Sequence, residues 1–128
     1  MSGMTILRWL PAILLAALLF VLSSQPELRI APDASLDAVL RKLGHLGAYA
    51  ALGVFVAFAL DDGVARPRAA LVVAIVAAYA ATDELHQAFV PGRGPSLVDV
   101  GIDVAGGVLG TAAWTLVRRG RRDRTRIA

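Results

Sequence analysis

Four long apolar stretches make up most of this chain and restrict it to one fold class. They run over about 6–22, 43–60, 69–89 and 97–117. Each is close to the roughly 20 residues that a helix needs to cross about 30 Å of hydrocarbon. Hydrophobic residues make up 57% of the chain and charged residues only 18%, too few for the surface of a soluble domain. The sequence therefore predicts an all-α integral membrane bundle of four transmembrane helices, in a single domain over 1–128.

The segment ahead of the second span has a helical pattern of its own. Its apolar residues recur at the three- and four-residue spacing of one helix face: Leu36, Val39, Leu40 and Leu43. An amphipathic face of this kind predicts a short interfacial helix over about 33–42, lying on the membrane surface before the second span.

The first apolar stretch also fits a second interpretation. Arg8 and an apolar core over 10–22 are typical of a secretory signal, and Ser23-Ser24 could precede a cleavage site. Because no small-x-small cleavage motif is present, we expect a retained helix. Both interpretations give the other three helices the same orientation.

Basic residues are unevenly divided between the two sides of an alternating four-span bundle. One side receives nine of them: Arg8, Arg66, Arg68 and the six arginines of a basic tail over 118–128. The other side receives four: Arg29, Arg41, Lys42 and Arg93. The positive-inside rule therefore predicts that both termini are cytoplasmic. The tail has no aromatic residues for stacking on bases, which favours anionic membrane lipids over nucleic acid as its partner.

Polar side chains concentrate where three of the spans reach the outer side. They are Lys42, His45, Tyr49, Asp83, Glu84, His86, Gln87, Arg93, Ser96, Asp99 and Asp103. Charges at membrane depth are costly and are retained mainly where they pair, line a cavity or do chemistry. We therefore predict that side chains from three spans form one wet pocket at the outer rim of the bundle. The chain has no cysteine, which excludes disulfides and thiolate chemistry.

Small residues follow the polar cluster into the fourth span. Gly106 and Gly110 lie four residues apart and form a ridge that permits close helix packing. We expect this ridge to hold the carboxylates of the fourth helix near those of the third.

Several polar residues also have purely structural interpretations. Ser96 and Asp99 match a capping box at the start of the fourth helix. His86 could point to interface water, and Arg93 could serve only as a counter-ion. Buried ion pairs can fix the register of helices without binding any ligand, so a structural bundle remains an alternative.

Three stretches resemble the VanZ-like family of bacterial membrane proteins. They are LSSQP at 22–26, KLGHLGAYAALG at 42–53 and DELHQAFVPGRGPSLVDVGIDVAGGVLG at 83–110. The resemblance implies a multi-pass protein of the bacterial inner (cytoplasmic) membrane. It also implies a link to lowered susceptibility to a lipid-anchored glycopeptide antibiotic. Family members usually carry asparagine where this chain has Asp103. Any role of that neutral amide in the family therefore does not transfer directly to the Asp103 carboxylate.

The favoured function is that of an envelope protein without catalysis. Its outer polar cluster would bind a lipid headgroup, a cell-wall lipid precursor or an amphiphilic glycopeptide-type drug. Arg41, Lys42 and Arg93 would meet phosphate, because a guanidinium offers a bidentate fork to it. An apolar groove beside the fourth helix would hold the acyl chain.

An enzyme is the main alternative, and the sequence leaves open whether any reaction is catalysed. His45, Glu84, Asp99 and Asp103 could hold Mg²⁺ or Mn²⁺ for hydrolysis or transfer at a lipid-linked phosphate. No HExxH motif, nucleophile elbow or phosphate loop is present, which weakens this alternative. We therefore assign no metal site, and the sequence leaves open whether a metal binds. Proton or ion movement along a carboxylate and histidine relay is a further alternative. The sequence specifies neither a cofactor nor an oligomeric state.

Overall fold

The computed structural model describes residues 3–26, 29–61 and 68–127 of the chain. In these ranges it contains four α-helices and no strand: α1 Gly3–Ser23, α2 Ala34–Ala59, α3 Ala69–Gln87 and α4 Leu97–Ile127. Each helix includes a stretch that is long and apolar enough to cross a membrane. The prediction of an all-α protein with four spanning helices is therefore confirmed.

Successive helices run in opposite directions, which gathers polar side chains at one end of the bundle. There, Ser23 at the end of α1 contacts Asp83 near the end of α3. His45 in the first half of α2 contacts Asp103 near the start of α4. We call this end the polar end, and the opposite end, where α4 carries its arginines, the basic end.

The segment predicted as a separate interfacial helix, 33–42, is instead the first part of α2. Asp33 is the N-cap and accepts a hydrogen bond from the backbone N–H of Leu36 at 2.8 Å. Hydrogen bonds from the Ser35 hydroxyl and from that N–H lower the pKa of Asp33 below its usual value. No proline interrupts Ala34–Ala59, so the helix continues for 26 residues, or about 39 Å. This length exceeds the hydrocarbon thickness of about 30 Å, so the first turns extend past it.

The ends of the other helices also differ from the predicted spans. α4 continues as a helix through the basic tail to Ile127, whereas the sequence indicated a span that stops near 117. α3 ends at Gln87, two residues before the predicted end, because a turn containing Pro91 follows. Arg66, Ala128 and the side chains beyond Arg121 lie outside the described residues.

Glycines set how closely α2 and α4 pack. A Cβ atom at Gly106 would lie 2.5 Å from the carbonyl oxygen of Leu46, and one at Gly110 would overlap the carbonyl of Ala50. The ridge of α4 therefore packs against α2, a partner that the sequence did not specify. The next face of α4 meets α3, where a Cβ at Gly107 would lie 2.6 Å from a Val76 methyl group. Because α2 and α4 touch through backbone, side chains above this contact on the two helices are brought together.

α1 lies on the outside of the bundle and is fastened by polar bonds near both of its ends and at its middle. Arg8 donates to the Phe58 carbonyl at 2.6 Å near the basic end. At the middle, the Tyr79 hydroxyl of α3 donates to the Ala16 carbonyl at 2.6 Å. Much of its apolar surface remains uncovered, with Leu14 61% exposed, as is expected of a lipid-facing helix.

Candidate functional site

The predicted polar residues come together at the polar end, around an open cavity of about 270 Å³. We call it the polar cavity, and its charged and amide lining comes from α2, α3, α4 and the loop before α4: Arg41, Lys42, His45, Gln87, Arg93 and Asp99. Four further members of the predicted cluster are buried beneath or beside it: Tyr49, Asp83, Glu84 and Asp103. The structure thus brings together groups from the second, third and fourth spans.

Asp83 joins α3 to two other helices through its buried carboxylate. Its Oδ1 accepts from the Ser23 hydroxyl of α1 at 2.6 Å. Its Oδ2 accepts from the Tyr49 hydroxyl of α2 at 3.4 Å and from the Gln87 amide at 3.2 Å. Donors on both oxygens compensate for the removal of this carboxylate from water. The residue therefore has a structural role in joining the ends of α1 and α3 to the middle of α2.

Arg93 is positioned over Asp83 and its hydrogen-bond partners by the turn between α3 and α4. The backbone N–H of Arg93 donates to the Val90 carbonyl at 3.1 Å, which closes a four-residue turn. Gly92 has φ of 80°, and Pro91 before it completes the residue pattern of a type II turn. The Arg93 Nη1 then donates to Gln87 Oε1 at 3.1 Å and to the Ser23 carbonyl at 3.4 Å.

His45 and Asp103 form a pair across the α2–α4 contact. The His45 Nδ1 lies 3.0 Å from Asp103 Oδ1, whose side chain is only 1% exposed. The His45 ring stacks on Tyr49 with a centroid distance of 6.2 Å. Since a carboxylate accepts hydrogen bonds, this contact places the proton of a neutral ring on Nδ1 and leaves the other ring nitrogen as an acceptor. His45 also lines the polar cavity.

Glu84 has a different role from the one predicted. It is buried, and its Oε1 accepts from the backbone N–H of Ser96, the residue before α4. The Ser96 hydroxyl in turn accepts from the Asp99 N–H at 3.3 Å, as the capping interpretation predicted. A carboxylate at a helix N-terminus also suits the helix dipole. Glu84 therefore connects α3 to the start of α4 instead of lining the polar cavity.

Two further cavities adjoin the polar cavity. The first, of about 180 Å³, lies between α1 and α2 and has mostly apolar walls, including Leu19, Leu22, Ile30 and Ala48; we call it the apolar cavity. The second, of about 280 Å³, lies beside the loop after α1 and is lined by Arg29, Asp37, Arg41 and Arg93, among others; we call it the loop cavity. Arg41 and Arg93 line all three cavities.

The four ligands proposed for a metal ion are not assembled. His45 and Asp103 are paired, but Glu84 is directed at the Ser96 backbone. Within the described residues, no three side chains of His, Asp or Glu are close enough to hold a metal ion. No buried side-chain nitrogen or oxygen in that part of the chain lacks a hydrogen-bond partner. The arrangement therefore fits hydrogen-bonded side chains around an open cavity better than it fits a metal centre.

The sequence profile of the VanZ/LLP1 family matches residues 7–118, which include nearly all of the four helices. The chain belongs to the VanZ/LLP1 family. The resemblance found in the three stretches is thereby confirmed, and with four candidate spanning helices it indicates a multi-pass membrane protein. No curated protein and no solved structure matches the chain significantly.

Two residues of this VanZ/LLP1 protein were missed as parts of the site. Ser23 was considered only as a possible cleavage position, although it lies within the LSSQP stretch that carries the resemblance. Asp37 accepts from the backbone N–H groups of Ile30 and Ala31, at 2.6 and 3.1 Å, and pairs with Arg41 Nε at 3.1 Å. The four-residue spacing of Asp37 and Arg41 on one helix was the available signal.

His86 lies apart from the polar cavity. Its Nε2 is 2.9 Å from the Ser24 hydroxyl, and its ring stacks on Phe20 with a centroid distance of 4.3 Å. His86 therefore contacts the end of α1. Its side chain is only partly exposed, whereas the structural interpretation had it pointing to interface water.

Proposed function

We propose that the polar end binds the anionic headgroup of an envelope amphiphile, whose acyl chain occupies the apolar cavity. The observation that carries this proposal is the adjacency of a polar and an apolar cavity that share Arg41, His45 and Arg93. An amphiphile has the same two parts, joined at its headgroup. Ligand sites usually combine apolar walls with a few placed polar groups.

The charges of the polar cavity favour an anionic group. Arg41, Lys42 and Arg93 line it, against a single carboxylate, that of Asp99. A guanidinium presents five N–H donors, and the described contacts of Arg93 with protein engage its Nη1. Arginine frequently binds the oxygens of a phosphate in a bidentate manner.

The acyl chain is proposed to lie between α1 and α2. An apolar groove of about 720 Å³ does lie beside the fourth helix, between α3 and α4, but it extends towards Arg119 at the basic end. The apolar cavity that adjoins the basic side chains of the polar end is lined by Leu19, Leu22 and Ala48. Its position beside the outermost helix offers a lateral route from the surrounding lipid.

We further propose that the protein lies in a bacterial inner membrane with its polar end outside and both termini in the cytoplasm. The uneven distribution of basic residues supports this orientation. A ligand would then be met in the outer leaflet, where lipid-linked cell-wall precursors and amphiphilic drugs are also found.

The experiment compares lipid retention by the purified protein in detergent, using native mass spectrometry. We expect phosphatidylglycerol to be retained over phosphatidylcholine of the same acyl chains. Lys42→Ala should lower the retention of phosphatidylglycerol about tenfold, since a charge-assisted phosphate contact is worth roughly 1.5–3 kcal/mol. Lys42 is exposed and lines the polar cavity, so its replacement should leave the fold intact.

Arg119→Ala is the matched control, because Arg119 is also exposed but lies at the basic end. It should leave lipid retention unchanged. Equal retention of both lipids by the wild type, or an equal loss in both variants, would overturn the proposal. If the protein retained an amphiphilic glycopeptide drug but no lipid, the proposed ligand would be the drug and not a lipid.

A further inference from the structure

We infer that the headgroup site accepts a diphosphate, two linked phosphates on one lipid, in preference to a single phosphate. This inference rests on the proposed function and specifies the class of amphiphile. The inference is based on the loop cavity, because a headgroup with one phosphate would need only the polar cavity.

The loop cavity and the polar cavity meet at two arginines. Both are lined by Arg41, Gly92 and Arg93, and their volumes are about 280 and 270 Å³. At about 30 Å³ for each water molecule, each cavity has room for a hydrated phosphate. Arg41 and Arg93 would then stand between two neighbouring phosphates, where one guanidinium can donate to both.

The charge of the combined site matches two phosphates better than one. Its described charged side chains are four basic ones and two carboxylates: Arg29, Arg41, Lys42 and Arg93 against Asp37 and Asp99. Apart from the His45–Asp103 pair, this leaves an excess of two positive charges. A phosphodiester headgroup carries one negative charge and a phosphate monoester about 1.5 to 2 at pH 7, whereas a lipid-linked diphosphate carries further charge on its second phosphate.

The loop cavity is held in shape by bonds that do not involve a ligand. Asp37, in the first turn of α2, accepts from the N–H groups of Ile30 and Ala31. These two bonds hold the backbone next to Arg29 against the start of α2. Asp37 also pairs with Arg41 and so aligns that guanidinium at the junction of the two cavities. Gly92, with its positive φ, also lines both cavities and positions Arg93 at their junction. A second anion would therefore meet basic groups that are already oriented.

The test compares farnesyl diphosphate with farnesyl monophosphate, which have the same tail, on the full-length protein in neutral detergent. Dissociation constants would be measured by microscale thermophoresis. We expect the diphosphate to bind about tenfold more tightly, by about 1.4 kcal/mol. Arg29→Ala should remove most of this preference and change monophosphate binding less than about twofold, because Arg29 lines only the loop cavity.

Two comparisons complete the test. Lys42→Ala, in the polar cavity, should weaken both ligands, and Arg119→Ala should preserve the preference. Inorganic pyrophosphate alone should bind far more weakly than farnesyl diphosphate; equal binding would mean that the site takes a free anion and would overturn the lipid assignment.

The two proposals fail in different ways. Equal affinity for the mono- and diphosphate, both above that of farnesol, would overturn the diphosphate inference and leave the proposed function standing. If neither binds better than farnesol, both are wrong. A diphosphate preference that survives Arg29→Ala would overturn the role given to the loop cavity.

Discussion

Asp83 shows how one residue can organise the polar end of the bundle. Its side chain is 2% exposed and accepts hydrogen bonds from Ser23, Tyr49 and Gln87. An ionised group at this depth persists only where such partners exist. Gln87 in turn accepts from Arg93, so the arrangement beneath the polar cavity depends on this carboxylate.

Replacement of Asp83 by alanine should destabilise the protein strongly. The substitution leaves the buried Tyr49 hydroxyl and Gln87 amide without this acceptor, while the Ser23 hydroxyl keeps the Phe20 carbonyl. Each orphaned buried donor costs roughly 1–3 kcal/mol. We expect a clear fall in the melting temperature in detergent, followed by intrinsic tryptophan fluorescence. The control is Asp99→Ala, because Asp99 is half-exposed at the cavity wall and should tolerate the change. Similar melting temperatures for the two variants would contradict this role of Asp83.

At the scale of the helices, the contact between α2 and α4 places the site. Glycines at 53, 106 and 110 let the two backbones approach, and the His45–Asp103 pair lies above this contact. Close packing at small residues is a common means of helix association in membranes. The turn at Gly92 and the bond from Glu84 to Ser96 then set where α4 begins.

Gly110→Val should weaken the bundle, whereas Gly101→Val on the same helix should not. A Cβ at Gly110 would overlap the Ala50 backbone, and one at Gly101 meets nothing within 4 Å. Overpacking of this kind typically costs about 1–3 kcal/mol, and the backbone of Ala50 cannot move aside as a flexible side chain would. Thermal unfolding of the two variants would measure the difference. Equal stability would show that α2 and α4 are not held in close contact.

Considered as a whole molecule, this VanZ/LLP1 protein has two unlike ends. The polar end carries the polar, apolar and loop cavities, the paired carboxylates and Arg93, and the basic end carries the arginines of α4. At the basic end, Arg118 pairs with Asp61 at 2.8 Å, which ties α4 to the end of α2. The orientation of these ends in the membrane would decide from which leaflet the proposed amphiphile enters.

Single cysteines can test the proposed orientation, since the chain has none of its own. Gly94→Cys and Gly120→Cys form a matched pair, because both positions are exposed and an added Cβ meets no neighbour. In intact bacterial cells, we expect a membrane-impermeant maleimide to label the residue at 94 and to label the one at 120 only after permeabilisation. The reverse pattern would place the polar end in the cytoplasm and contradict the orientation.

Much of the architecture was predictable because it depends on local composition. The spans follow from apolar runs of about the right length, and polar residues near their outer ends predicted a shared polar site. Ser96 was recognised as a cap because capping involves residues only a few positions apart. Helix ends were less accurate: the continuous α2 and the extended α4 contain no proline or other strong stop signal where the predicted spans begin or end.

The sequence by itself determined the class of the fold, its four spans and which polar residues belong near one another. Only the tertiary structure decided their partners: Asp83 with Ser23, Glu84 with Ser96, and the glycine ridge with α2. Periodicity shows which residues share a face of one helix but carries no information about which helix that face meets. Partner choice arises from backbone contacts between distant segments, and those contacts exist only once the bundle has packed.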